Sequence, residues 1–180
     1  MGKKQYVKKK KICSKCLRRL VIWIFLTILS IFIGLYLDLS VFETKSFPIF
    51  VQITGLIGII LVHFLLKRTG KLLRLFGDCE LWGWSTKLIT DNIYRCVRHP
   101  HHLGVGLFMT FLGLFIGFPI TFIIITISQW LWVYLFVIFI EEKECKEKFG
   151  DQYVKYSKEV PMFIGNPVCI VKELRKTINR

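Results

Sequence analysis

Four long apolar stretches, separated by charged segments, constrain this chain more than any other feature. They cover residues 20–37, 47–66, 103–118 and 120–140. A helix needs about 20 mostly apolar residues to cross the hydrocarbon core of a bilayer, with about 17 as the lower limit. The second and fourth stretches exceed that length, the first is adequate, and the third needs residues 99–102 to complete one end. The sequence therefore predicts an all-α, polytopic membrane protein with four transmembrane helices, the last two forming a helical hairpin.

Positive charge is concentrated next to these stretches. Of the 26 Lys and Arg residues, nine lie in residues 1–19, seven in 67–102 and nine in 141–180. Basic residues near span ends mark the cytoplasmic side of a membrane protein. We therefore expect both termini in the cytoplasm. The membrane would be the cell membrane in a prokaryote and that of the endoplasmic reticulum in a eukaryote. The first stretch has no small-residue cleavage site, and a second span follows it at once, which argues against a signal peptide.

The length of 180 residues predicts one domain, which the charge pattern divides into five segments. These are a basic cytosolic tail (1–19), the first two spans (20–66), a cytosolic loop (67–102), the hairpin (103–140) and a cytosolic C-terminal segment (141–180). We expect cytosolic interfacial helices as well, at residues 72–84 and 151–160. In the second of these, Tyr153 and Tyr156 have helical spacing, which suits either a helix on the headgroups or the wall of a binding site.

A net charge of +14 would suggest a nucleic-acid partner if the protein were soluble. Here the charge lies beside apolar spans, and no nucleic-acid-binding motif accompanies it. We therefore expect the lipid bilayer as the partner, with no nucleic acid and no obligate protein partner.

All six cysteines fall in segments that the charge pattern places in the cytoplasm: Cys13, Cys16, Cys79, Cys96, Cys145 and Cys169. That compartment keeps thiols reduced, so no disulfide framework is expected. Cys13-x-x-Cys16 lacks the second ligand pair of a structural zinc site, and reversible acylation beside the first span is an alternative role. The three histidines within residues 99–102 lack the carboxylate–histidine spacing of a metal enzyme, so we expect no metal site.

The hairpin brings two polar groups together at one end. Pro119 marks its turn, with His99 lying 20 residues before that proline and Glu141 lying 22 residues after it. At about 1.5 Å of rise per residue, the two side chains reach the same level to within about 3 Å. The sequence therefore predicts that an Arg-His-Pro corner at 98–100 faces the glutamate pair at 141–142.

Two adjacent acids at the end of an apolar helix need a compensating cation, because burying their charge alone would cost desolvation free energy. Arg98 is one such partner, and simple hydration of Glu141 and Glu142 at the span end is another interpretation. A cationic ligand is a third. S-adenosylmethionine carries a sulfonium and an ammonium, together with a carboxylate that an arginine side chain can bind.

The ordered motifs in residues 70–165 resemble the isoprenylcysteine carboxyl methyltransferase family. The motifs are Leu-Ile-Thr-x-x-Ile-Tyr at 88–94, Arg-His-Pro at 98–100, Glu-Glu at 141–142, Phe-Gly-Asp-Gln-Tyr at 149–153 and Val-Pro at 160–161. The resemblance implies a pocket for the cofactor S-adenosyl-L-methionine, closed by C-terminal segments and open laterally to lipophilic acceptors. The cofactor contacts that it implies are Lys87, Leu88, Ile89, Tyr94, Arg98, His99, Pro100, His102, Glu141 and Glu142.

This sequence departs from the pattern of that family at four positions. His102 stands where a tyrosine is usual, Asn92 where a glycine is usual, and Met162 where many bacterial relatives have an arginine. Val137 stands where the eukaryotic prenylcysteine enzymes carry a substrate-facing arginine. The resemblance therefore supports cofactor binding more than it supports a prenylcysteine acceptor.

The sequence thus predicts an integral membrane methyltransferase. It would transfer methyl from S-adenosylmethionine to a lipophilic or small acceptor at the cytosolic membrane face, as isoprenylcysteine carboxyl methyltransferases do. Phospholipid N-methyltransferase or thiol S-methyltransferase activity is the alternative. A membrane scaffold or ligand binder that retains the fold is the non-enzymatic alternative. No side chain stands out as a general base, so the sequence assigns no catalytic residue.

Overall fold

The computed structural model describes residues 14–76 and 87–176, and these residues are almost entirely helical. They form α1 (Ser14–Tyr36), α2 (Ile49–Phe76), α3 (Pro100–Ile116), α4 (Pro119–Phe136), α5 (Glu142–Phe149), α6 (Asp151–Glu159) and α7 (Pro167–Arg175). A π-helical turn at Leu37–Val41 extends α1, another at Val137–Glu141 joins α4 to α5, and a 3₁₀ turn covers Asn92–Arg95. No strand occurs in these residues, so the predicted all-α class is confirmed.

Within the described residues, three helical segments are long and apolar enough to cross a membrane: Leu17–Val41, Ile49–Leu73 and Pro119–Phe149. Helix α3 is also apolar but has 17 residues, at the lower limit for a span. Apolar side chains on α1 remain exposed, for example Phe32 at 70%, as expected of a surface that contacts lipid tails. The membrane class is therefore confirmed, and a fourth crossing by α3 stays a prediction.

The apolar helices pack in the order α1, α4, α3, α2, each against the next. Polar side chains join neighbours across these contacts. Trp23 Nε1 donates to Gln129 Oε1 at 2.9 Å between α1 and α4, and Trp130 Nε1 donates to Thr110 Oγ1 at 3.0 Å between α4 and α3. Hydrogen bonds of this kind hold helices together where water cannot compete. Helices α3 and α4 thus form the predicted hairpin.

Local chemistry sets the ends of the hairpin helices. Pro100 occupies the first turn of α3, where its missing N–H removes no helical hydrogen bond. Gly117 ends α3 with a left-handed φ of 88°, and Pro119 then begins α4. Helix α3 therefore starts three residues before the predicted apolar stretch. Helix α2 runs on to Phe76, so the predicted loop 67–102 begins as helix.

The C-terminal helices fold back onto the hairpin. Helix α5 continues α4 to Phe149, where Gly150 follows with a φ of 55°. Helix α6 then buries Tyr153 and Tyr156, which are 2% and 8% exposed. Of the two interpretations of residues 151–160, the structure therefore favours the wall of a site over a helix that lies on the headgroups.

The expectation that all cysteines are reduced is wrong for one pair. Cys96 and Cys169 form a disulfide, with their Cα atoms 5.9 Å apart. Helix α7 packs against the Asn92–Arg95 turn, which brings together two cysteines separated by 73 positions in sequence. The sequence does not reveal this approach, because it depends on the return of the C-terminal segment. Cys13 lies outside the described residues, so the Cys13-x-x-Cys16 pair is not described. Most of the predicted interfacial segment, residues 77–84, also lies outside them.

Candidate functional site

A cavity opens at the end of the bundle where α3 begins and α4 ends. The empty space among its lining side chains, including the part open to solvent, is about 1030 Å³. Eight of the ten residues predicted from the sequence line it: Lys87, Leu88, Ile89, Tyr94, Arg98, His99, His102 and Glu141. The other two, Pro100 and Glu142, are not among the lining residues. The polypeptide segments before α3 and after α4 therefore meet at one site.

The π-helical turn at Val137–Glu141 directs the two glutamates differently. A π-helical turn accommodates an extra residue in a helix, and such turns are frequent at functional sites. Glu141 lines the cavity, whereas Glu142, the next residue, is 7% exposed and points into the protein. The pair predicted as one cofactor-binding unit thus divides into a cavity-facing and an interior carboxylate.

Glu141 faces two histidines. Its Oε2 atom lies 3.1 Å from His99 Nδ1 and 3.0 Å from His102 Nδ1. These distances confirm the prediction that residues 99 and 141 reach the same level of the hairpin. This oxygen is nevertheless buried with no donor among the described residues aligned for a hydrogen bond to it. The Glu141 side chain as a whole is 31% exposed and lines the cavity, so it can still accept a hydrogen bond from a ligand there.

Glu142 supports the site from behind. Its Oε1 atom accepts a hydrogen bond from the Tyr153 hydroxyl at 2.7 Å and lies 2.8 Å from His99 Nε2. Arg98 Nη1 lies 3.6 Å from the same oxygen. One carboxylate thus joins α6 to the corner before α3. We assign to Glu142 a positioning role rather than a contact with the ligand.

His99 lies between the two carboxylates and is 5% exposed. Burial by itself lowers the pKa of this imidazole, but the charge of Glu141, 3.1 Å away, and the hydrogen bond to Glu142 outweigh burial and raise the pKa to about 9. An imidazolium carries a proton on both ring nitrogens, which matches a ring with one carboxylate on either side. His99 is therefore a cation at neutral pH.

The tyrosines that line the cavity are uncharged phenols at neutral pH. Burial raises the pKa of Tyr153, and its hydrogen bond to Glu142 raises it further. Burial also raises the pKa of Tyr94, whose carbonyl oxygen accepts a hydrogen bond from the Tyr156 hydroxyl at 2.6 Å. These phenols can donate hydrogen bonds at neutral pH, but they are not bases.

The lining side chains fit S-adenosylmethionine by their chemistry. The carboxylate of Glu141 can accept a hydrogen bond from the ammonium of the cofactor, and the guanidinium of Arg98, which lines the same cavity, can donate to its carboxylate. Leu88, Ile89 and Tyr94 supply the apolar and aromatic surface that an adenine needs.

The cavity also contains residues that the sequence prediction missed. They are Arg19, Leu73, His101, Phe136, Glu144, Cys145, Lys148, Phe149, Tyr153 and Tyr156. For the two tyrosines, helical spacing had already suggested a wall. Arg19 gave no such signal, because it lies in the basic run before the first span. It reaches Glu144 on α5, with Arg19 Nη2 at 2.5 Å from Glu144 Oε1, and its guanidinium lies over the Phe136 ring.

Two further positions bear on the predictions. Asn92 has a left-handed φ of 58°, a conformation that favours glycine and that asparagine tolerates better than most residues. This explains why asparagine can stand where the resembling family has glycine. Val137 is fully buried and is not among the cavity-lining residues.

Three of the lining residues also have metal-ligand geometry. One ligand atom each from His99, His102 and Glu141 lies within 4.8 Å of the others. The sequence predicts no metal site, because the spacing of the histidines along the chain is unsuitable. The missing carboxylate comes from the far side of the hairpin, so spacing along the chain was a poor guide. The expectation of no metal stays a prediction.

Comparison with known proteins agrees with the geometry. The sequence profile of the phospholipid methyltransferase family matches residues 49–152, more than half of the chain. The chain is also similar to Protein-S-isoprenylcysteine O-methyltransferase B of Arabidopsis thaliana, with 32% identity over 75 residues. That alignment covers 42% of this chain and 38% of the plant protein, well under two thirds of its length. The resemblance seen in the sequence is confirmed, and the chain belongs to the phospholipid methyltransferase family.

Proposed function

We propose that this protein is a membrane methyltransferase that uses S-adenosyl-L-methionine and methylates an acceptor delivered from the lipid phase. The observation that carries the proposal is a single cavity lined by an acid, Glu141, and an arginine, Arg98, together with apolar and aromatic side chains. Family membership and the apolar helices agree with it. The distribution of Lys and Arg supports a cytosolic location for the cavity and both termini.

In the proposed complex, Glu141 accepts from the ammonium of the cofactor, and Arg98 binds its carboxylate. Leu88, Ile89 and Tyr94 enclose the adenine, and Lys87 lies at the rim. His102 stacks on Phe136 with ring centroids 5.4 Å apart, which forms a firm side wall. When bound, the cofactor supplies an electrophilic methyl group on a sulfonium.

The residues of the chain act mainly by positioning and by excluding water. Helix α6 covers the cavity through Tyr153 and Tyr156, and Glu142 links that cover to His99 and Arg98. Holding the two reactants in line can supply a large part of a rate enhancement. No base is assigned, since the tyrosines have raised pKa values and His99 is a cation. A carboxylate acceptor needs no base, whereas an amine or a thiol would have to react in its deprotonated form.

The acceptor class has two candidates. A prenylcysteine-like carboxylate is suggested by the similar plant protein, and a phospholipid amine by the family whose profile matches. Val137 favours the phospholipid, because this position lacks the arginine that the eukaryotic prenylcysteine enzymes direct at their substrate. Incubating membranes with methyl-labelled cofactor and separating lipid, protein and volatile fractions distinguishes lipid, protein and small-thiol acceptors.

The central experiment is calorimetric titration of the purified full chain with S-adenosylmethionine, comparing wild type with Glu141→Gln. Removing the charge at this position should weaken binding by roughly 10- to 100-fold, the usual effect of losing one charge-assisted hydrogen bond. Glu147→Gln, an exposed residue on α5 that does not line the cavity, is the matched control. Wild-type protein that folds but binds no cofactor would overturn the proposal in favour of a non-enzymatic membrane protein.

A further inference from the structure

Helix α7 carries an exposed face for which the proposed reaction has no use. Val168 and Val171 on this helix are 72% and 48% exposed, and Ile164, just before it, is 92% exposed. Lys172 and Arg175 are exposed on the same side. At 3.6 residues per turn these four helix positions fall on one continuous arc. The face is therefore apolar and basic, and the arc carries no acid.

Further positive charge lies beside this face. Arg95, Lys172 and Lys176 line a surface hollow between α7 and the Asn92–Arg95 turn. The acid among the lining residues, Glu173, is 4% exposed. It is paired with Lys176 Nζ at 2.6 Å and with Arg95 Nη1 at 3.7 Å. Its charge is therefore compensated within the protein, and the hollow retains an excess of positive charge.

Arg68 on α2 extends the basic cluster. Its Nη1 atom donates to the carbonyl oxygen of Leu174 at 2.9 Å, which ties α7 to α2. Its Nε and Nη2 atoms are buried and have no acceptor among the described residues. The charge of Arg68 contributes to lowering the pKa of Glu173 on α7. Arg68 therefore adds positive charge at the junction of α2 and α7, where Glu173 is already paired.

The position of α7 relative to the spans can be read from its neighbours. Arg68 lies two residues past the apolar stretch that ends at residue 66. The ring of Phe163, four residues before α7, lies 6.4 Å from that of Trp130 in the middle of α4. The segment before α7 therefore reaches the apolar part of the bundle, while the helix itself lies level with the charged ends of the spans.

We propose that the exposed face of α7 binds anionic phospholipid headgroups of the leaflet that surrounds the cavity end of the bundle. A short helix with apolar and basic residues on one face is suited to the membrane interface, and anionic lipids attract each Lys or Arg near the surface. The bilayer is also continuous with the lipid-facing surfaces of the neighbouring spans. A membrane therefore fits this face better than a soluble partner does.

Binding at α7 would also reach the cavity, through residues 161–165. The backbone N–H groups of Arg98 and His99 donate to the carbonyl oxygens of Pro161 and Met162 at 2.9 and 3.2 Å. A Cβ at Gly165 would lie 2.2 Å from a carbonyl oxygen of the loop before α3, so the two segments are in direct contact. Anionic lipid should therefore hold this segment in place. This consequence rests on the proposed function, whereas lipid binding itself does not.

The experiment uses the full chain in nanodiscs of phosphatidylcholine, with or without phosphatidylglycerol. Hydrogen–deuterium exchange is followed in the peptides that contain α7 and α6. We expect exchange in α7 to slow by roughly tenfold in the anionic discs, with little change in α6. The double variant Lys172→Glu/Arg175→Glu should abolish the difference. The control Lys155→Glu/Lys158→Glu, which makes the same charge change on α6, should retain it.

A second measurement needs no variant: raising the salt concentration should remove the effect in wild-type protein, because the attraction is electrostatic. The proposal is overturned if α7 exchanges equally in both kinds of disc, or if the double variant folds and keeps the difference. Protection by inorganic phosphate in neutral discs would assign the cluster to a soluble anion instead. Protection that depends on protein concentration would assign the face to a second copy of the chain.

The effect on the cavity is measured separately, as S-adenosylmethionine affinity in the two kinds of disc. We expect affinity to be about 3- to 10-fold higher with anionic lipid, in proportion to the modest coupling energies typical of linked sites. Protection of α7 without any cofactor binding would leave the lipid site standing and count against the proposed function alone. If α7 is protected but cofactor affinity is the same in both kinds of disc, the lipid site and the cavity are not coupled.

Discussion

Within residues 14–76 and 87–176 there are two π-helical turns, each of which contains an acid, and the two acids have opposite surroundings. Asp38, in the turn that ends the first span, is fully buried and accepts four hydrogen bonds. Its donors are the backbone N–H groups of Ile120 and Thr121 at 3.2 and 2.6 Å, and the hydroxyls of Thr121 and Thr44. Asp38 thereby satisfies N–H groups at the start of α4, which have no partner within the helix.

Glu141 lies at the other end of α4, in the π-helical turn that follows it, and its hydrogen bonding is incomplete. Its Oε2 atom has histidine nitrogens at about 3 Å but no aligned donor in the described chain, and the side chain as a whole is 31% exposed at the cavity. A fully satisfied buried acid holds helices together, whereas an unsatisfied one at a cavity can accept a ligand. Asp38, with its four neutral donors, therefore identifies the structural end of the bundle. Glu141, whose carboxylate lacks an aligned donor, identifies the functional end.

The largest effect is expected at the structural end. Asp38→Ala leaves the N–H groups of Ile120 and Thr121 buried without an acceptor, which should lower the free energy of unfolding by about 3–5 kcal/mol. Thermal unfolding in detergent should show a fall in Tm of roughly 10 °C. Asp91→Ala, an exposed acid whose side chain makes no capping hydrogen bond, is the control. A Tm equal to that of the control would show that Asp38 does not hold α4.

At the functional end, Glu142→Gln should act on stability more than on cofactor binding. Glutamine can still accept from Tyr153, but the charge that faces His99 and Arg98 is lost, at about 2 kcal/mol of stability. Parallel measurement of Tm and cofactor Kd separates it from Glu141→Gln, which should weaken cofactor binding much more than Glu142→Gln does. If Glu142→Gln weakened cofactor binding more than Glu141→Gln did, our assignment of the two carboxylates would be reversed.

Two glycines test how tightly the structural end is packed. A Cβ at Gly34 would lie 2.6 Å from the Cα of Thr121, a backbone atom that cannot move aside easily. Gly34→Ala should therefore lower stability by about 2 kcal/mol. Gly70→Ala is the matched control, because a Cβ there meets no atom within 4 Å and alanine favours helix. Thermal unfolding that is equal in both variants would contradict tight packing of α1 on α4.

The smallest effect concerns pH. The folded pKa of His99, at about 9, lies above the usual value of 6.5, so the folded state binds the proton more tightly than the unfolded state. The stabilisation is complete below pH 6.5 and is lost as pH rises through about 9. Between pH 7.5 and 9 we expect a loss on the order of 1 kcal/mol. His99→Gln should show a shallower slope of Tm against pH; an unchanged slope would assign the pH dependence to another group.

Sequence reasoning was most successful where the bilayer limits the possible structures. Because a lipid-facing segment must satisfy its own backbone, apolar length identified the four long helices α1 to α4. Pro119 marked the turn of the hairpin. Counting residues from Pro119 also placed His99 beside Glu141 before any fold was known. That count works because the rise per residue of a helix is nearly constant.

The same reasoning failed where the chain returns to the bundle by an irregular path. The Cys96–Cys169 disulfide, the Arg19–Glu144 pair and the basic cluster around α7 each join segments far apart in sequence. No periodicity relates them, and the loops between them have no fixed geometry. The split roles of Glu141 and Glu142 were also hidden, since the π-helical turn that directs them has no clear sequence signature.

By itself, the sequence determined the membrane class, the bounds of the two hairpin helices to within a few residues, and the common level of the start of α3 and the end of α4. These follow from apolar length and from helix geometry, both of which are local. Only the tertiary structure decided which polar groups at that level are satisfied and which remain open to a ligand. Hydrogen bonding depends on distances and angles of a few tenths of an ångström between side chains from separate helices, and such geometry is set only when the helices pack.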